Sequence, residues 1–142
     1  MNMKNLKKQI LKSLVILTLV FVVSCSESED NLPQELSIQE KVTLLENGEW
    51  LLKDFEDSVM HTFVNGERLT FYGTEGKFTE PIPGKNAYTI VDSKLMIDYN
   101  FGNTKTYELR VSCNNNIIEM YRDNEIQSTL YRKDSNYKDC LN

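Results

Sequence analysis

Two cysteines near the C-terminus, Cys113 and Cys140, carry the simplest chemistry in the chain. In an oxidising compartment their thiols can join and close a loop of about 28 residues, stabilising the fold by roughly 3.5 kcal/mol through lost chain entropy. The alternative is a pair of buried free thiols, as a reducing environment maintains. Elsewhere, the residue types of catalysis are present without the spacing that catalysis needs. His61 is the only histidine, so a multi-histidine metal site is ruled out. Asp57, Ser58 and His61 are close in sequence, but a strand sends alternate side chains to opposite faces, and this spacing does not assemble a triad. Asp54, Glu56 and Asp57 read as a solvated strand end, and so short a chain leaves little room for the cleft of a glycosidase. Gly73, Gly76 and Gly84 are spaced as turns, not as a phosphate-cradling loop. The residues point away from an enzyme and call for no cofactor and no metal.

Cys25 sits in a different setting. Lys4, Lys7, Lys8 and Lys12 form a positive segment with no acid, and an apolar run from Leu14 to Val23 follows, broken only by Thr18. About ten residues fall short of the roughly 20 that a spanning helix needs. They match the apolar stretch of a secretory signal. Val22-Val23-Ser24-Cys25 then resembles the lipobox of bacterial lipoproteins. That resemblance implies a diacylglyceryl group on the Cys25 sulfur, cleavage before Cys25, and residues 1–24 as a lipoprotein signal peptide. The remaining 118 residues suffice for one domain, and loss of four lysines takes the formal charge from −5 to −9. So acidic a chain argues against nucleic acid and against electrostatic docking on anionic lipid, leaving acyl chains as the membrane contact. Residues 25–35 are acidic, serine-bearing and interrupted by Pro33, the composition of a flexible tether. They also resemble the acidic stretch that sends Bacteroidota lipoproteins to the outer face of the outer membrane. A plain solvated linker has the same composition, and both readings stand.

The elements that position the rest are mostly strands. Ser37-Ile38-Gln39-Glu40 is a capping box, with Ile38, Val42 and Leu45 on one helical face and Asn47-Gly48 suited to the C-terminal end. Beyond it, turn residues separate nine short runs: Trp50–Phe55, Ser58–Val64, Arg68–Tyr72, Lys77–Thr79, Ala87–Val91, Lys94–Tyr99, Thr104–Cys113, Asn116–Arg122 and Ile126–Lys133. Asn65-Gly66 is the clearest hairpin signal among these turns. Leu95, Ile97 and Tyr99 alternate, as do Tyr107, Leu109, Val111 and Cys113, and then Ile118 with Met120. The pattern predicts an all-β fold, a small antiparallel meander of about eight strands preceded by one short helix. It rolls into a sandwich or a closed barrel, and closure is favoured because it hides strand edges.

A short helix, then Gly48-Glu49-Trp50, then a meander resembles the lipocalin-like lipoproteins of Bacteroidota. The resemblance covers roughly residues 36–133 and implies a lipocalin-like domain over 36–142. It implies that Trp50 plugs the closed end of a barrel, with Arg132 across its indole as a barrel-closing pair and Arg122 as the alternative partner. It also implies non-enzymatic binding of a small apolar or amphipathic ligand. Phe71, Phe78, Tyr88, Ile97, Tyr99, Tyr107, Leu109 and Met120 are the candidate lining residues, if they do not simply fill the core. A barrel this small can be packed by its own side chains. A filled core would favour a protein partner instead, with the domain acting as an interaction or inhibitor module at the cell surface.

Overall fold

Three two-residue reversals fix most of the strand register. Asn65-Gly66, Asp92-Ser93 and Asp123-Asn124 all hold positive φ at both positions, between 48° and 78°. That twist matches the right-handed twist of the strands on either side, and these residue types bear it at low cost. The computed structural model describes residues 35–141. The expected signal peptide, the lipidated Cys25 and nearly all of the tether lie outside those residues.

Helix α1 (Ile38–Glu46) is followed by eight strands: β1 (Glu49–Leu52), β2 (Val59–Val64), β3 (Glu67–Tyr72), β4 (Asn86–Val91), β5 (Lys94–Asp98), β6 (Thr104–Ser112), β7 (Ile117–Arg122) and β8 (Glu125–Arg132). Each strand pairs antiparallel with the next, and β8 returns to β1, so the meander is a closed barrel. The run Lys77–Thr79 is not a strand. Lys77 makes one isolated bridge to Thr74 inside the β3–β4 loop, and with Pro81 and Pro83 close behind, the run cannot extend a ladder.

Strand alternation sorts the side chains into two layers. Trp50, Phe63, Leu95, Ile97, Tyr107, Leu109, Ile118, Met120 and Leu130 point inward and form the main core with Val42 and Leu45 of α1. The capping box is formed: Glu40 N donates to Ser37 Oγ at 3.3 Å and Ser37 N to Glu40 Oε2 at 2.7 Å. Glu35, the last residue of the expected tether, already touches the domain, its carboxylate 2.8 Å from Lys41 Nζ. The same ammonium donates to Leu109 O at 2.9 Å, which lets a lysine lie buried under the helix.

Outside the barrel a second cluster gathers Ile117, Tyr131 and Leu51 beneath the C-terminal tail. A 3₁₀ turn (Tyr137–Cys140) lays Tyr137 flat on Tyr131 with ring centroids 4.5 Å apart. Cys113 and Cys140 are joined in a disulfide with Cα atoms 5.9 Å apart. One stapled turn thus covers apolar surface that would otherwise need a longer element. Cys140→Ser is expected to lower the unfolding free energy by about 3.5 kcal/mol by the loop-entropy argument. Urea denaturation checks this, and a midpoint unchanged by the substitution would show that the tail packs without its staple.

Candidate functional site at the barrel mouth

The end of the barrel beneath α1 is sealed. The Trp50 indole nitrogen donates to Leu45 O at 2.9 Å, and Arg132 Nη2 donates to Asn47 O at 2.7 Å. The acceptors belong to the last turn of α1 and to its C-cap residue, where carbonyls have no partner within the helix and a cation is favoured. Trp50 and Arg132 are also direct partners in the β1–β8 ladder, with the guanidinium carbon 5.9 Å from the indole centroid. The glycine of Gly-x-Trp has a plain steric cause. A Cβ on Gly48 would lie 2.8 Å from the indole nitrogen and 2.9 Å from the adjoining ring carbon. Arg122 is elsewhere, in β7 beside its hairpin neighbour Asp123.

The eight candidate lining residues divide four ways. Ile97, Leu109 and Met120 are buried in the core and leave no open wall. Tyr88 points toward the sealed end: it meets Phe63 edge-on at 5.5 Å and donates to Glu46 Oε1 at 2.7 Å. Burial, with that carboxylate, raises its hydroxyl well above the usual tyrosine range. Tyr99 and Tyr107 face the interior with their hydroxyls 2.9 Å apart. Phe71 and Phe78 do not face the interior. Phe71 pairs with Met60, which alternates with the inward His61, so it lies on the outer layer and bridges to Pro81. Phe78, in the β3–β4 loop, lines an outer hollow beside Tyr137 and Leu141.

The open end holds the site. β3 and β4 share only two pairs, Glu67↔Ala87 and Arg68↔Asn86, before they diverge. The far half of β3 takes its partner from the following loop, through the Phe71↔Pro81 bridge and the Ile82 N to Thr70 O bond at 2.8 Å. That fork leaves a cleft of about 710 Å³ lined by Leu52, Phe55, Val59, His61, Arg68, Thr70, Tyr72, Ile82 and Asn86, among others. Its rim is apolar and wet: Phe55 is 55% exposed and Tyr72 62%. Phe101 and Ile126, on turns or strand ends nearby in the meander, are exposed as well.

Polar groups in the cleft are few and fixed. His61 Nδ1 lies 3.0 Å from Thr70 Oγ1. Burial, helped by the charge of Arg68, pushes its pKa down to about 4, so the ring is neutral at pH 7. Ser58 turns its hydroxyl back to Phe55 O at 3.3 Å, so the Asp57-Ser58-His61 grouping is not assembled. Among the described residues, no three His, Cys, Asp or Glu side chains come together as a metal site.

Comparison with protein-family models, with curated proteins and with solved structures finds no match for this chain. Geometry alone carries the site. The cleft residues Arg68, Thr70 and Asn86 escaped the sequence reading because it sought aromatics, and a strand that loses its neighbour leaves no local signature. The one available signal was the thirteen-residue stretch between Tyr72 and Asn86, long for a hairpin connection.

Proposed function

We propose that this protein is a lipid-anchored, lipocalin-like binding protein that takes a small apolar or amphipathic molecule in its barrel mouth without transforming it. The observation that carries the reading is the cleft at the β3–β4 fork: concave, apolar at its rim, with a few fixed polar groups within. That is the usual construction of a small-molecule site. The core below it is packed from Trp50 to Met120, so the ligand enters the mouth and does not thread the barrel. Lipidation at Cys25 would hold the domain at the outer membrane, where amphipathic molecules are abundant.

The packed core also favours a second reading, in which Phe55, Tyr72, Phe101 and Ile126 form a docking surface for a partner protein. The two readings separate on one titration. With the full chain, the fluorescence of N-phenyl-1-naphthylamine is expected to rise and saturate. Thr70→Trp, which fills the cleft, is expected to weaken binding by about tenfold, equivalent to about 1.4 kcal/mol. A flat titration with the unaltered chain would leave the docking surface as the better account.

A further inference from the structure

We propose that the mouth recognises an anionic head, a carboxylate or phosphate monoester on an apolar chain, through Arg68 with Lys105 on the same tyrosine ring. The inference rests on the mouth being a binding site and adds the chemical class of its occupant.

The chain is acidic, with a formal charge of −5, yet cations collect at the open end. Arg68 faces inward opposite Phe63, and Lys105 opposite Ile97. Both lie on the ring of Tyr99, the Arg68 guanidinium carbon 4.9 Å and Lys105 Nζ 5.4 Å from its centroid. Among the described residues, neither has a carboxylate oxygen within 4 Å.

Arg68 is held ready by neutral groups. Its Nη2 donates to Asn86 Oδ1 at 2.7 Å, and Asn86 Nδ2 donates to Asp98 O at 3.1 Å. Its Nε is buried and has no hydrogen-bond partner among the described residues. A buried donor without an acceptor is costly, and a planar guanidinium matches a carboxylate or phosphate in shape as well as charge. The tyrosine pair adds a further donor. One hydroxyl donates to the other across 2.9 Å, which leaves the second proton for an acceptor outside the pair. Burial and the bond to Tyr99 raise the Tyr107 hydroxyl above the usual tyrosine range. Arg68 therefore faces a cleft whose rim is Phe55 and Tyr72, with Lys105 sharing its tyrosine ring. An anion seated there satisfies the guanidinium while its chain lies along the apolar rim.

Isothermal titration of the full chain with dodecanoate, dodecyl phosphate and dodecanol tests this. At least one of the anions is expected to bind about tenfold or more tightly than the alcohol of equal chain length, and which one binds better names the head. Arg68→Met is expected to bring that anion down to the level of dodecanol, with dodecanol itself changed by less than about twofold. Lys105→Met, beside Arg68 on the Tyr99 ring, is expected to weaken the anion about threefold with an unchanged circular dichroism spectrum, which covers the case of an unfolded Arg68 variant. Equal binding of dodecanol and both anions would overturn the anionic head while leaving the mouth as a binding site. No binding of any of the three would overturn both.

Discussion

Replacing Trp50 with alanine is expected to cost about 3–5 kcal/mol of stability, the range for deleting a large aromatic from a core that cannot collapse around the void. The indole is fully buried in the main core. Loss of the ring also takes from Leu45 O its shortest bond, the indole N–H at 2.9 Å, and leaves it the Gly48 N–H at 3.4 Å. It further removes the surface on which Arg132 rests while that side chain donates to Asn47 O. The helix would then be held mainly by Val42, Leu45 and the Lys41 contact to β6. Urea denaturation followed by tyrosine near-ultraviolet dichroism measures the change. A loss under about 1 kcal/mol would mean that the sealed end does not depend on its plug. Arg132→Lys, which keeps the charge but not the planar fork, is expected to cost less, because the indole remains.

Cys25→Ser is expected to act on location and leave the fold alone. Serine has no thiol to accept diacylglyceryl, so incorporation of labelled palmitate should fall to background. The protein should also move from the membrane fraction to the soluble one. Each buried methylene of an acyl chain contributes about 0.8 kcal/mol, so two or three chains hold firmly where none would hold at all. Palmitate label retained by the serine variant, or an unaltered membrane fraction, would remove the lipobox reading. Because Cys113 and Cys140 are already bonded to each other, Cys25 has no thiol partner within the domain, and the substitution does not disturb a disulfide.

Much of the barrel was legible because its signals are local. Positive-φ residue pairs such as Asn65-Gly66 dictate a hairpin wherever they occur, and alternation along Lys94–Asp98 or Thr104–Ser112 assigns each side chain a face. Ser37 and Glu40 mark the start of α1 through groups three residues apart. Those features read correctly one residue at a time. Lys77–Thr79 misled because a strand needs a neighbour as well as a propensity, and at that point the sheet has forked. Phe71 misled for a related reason. The tail and the β3–β4 loop make a second apolar layer outside the barrel, so an outward aromatic is half-buried without lining the interior. The mouth was the least legible part. Arg68 reads as an ordinary strand cation until its partner Asn86 is known, eighteen residues on and across the point where two strands separate.

The β1–β8 ladder has a kinetic meaning. Trp50 and Arg132 are partners in that ladder, although 82 residues separate them in the chain. Contacts so distant in sequence pay their full loop entropy before they return anything, which slows folding. The barrel closes only once its last strand is available, so no N-terminal part of it can stand as a finished unit. Until β8 arrives, β1 presents an open edge, and the chain is most exposed to pairing with a neighbour during that interval.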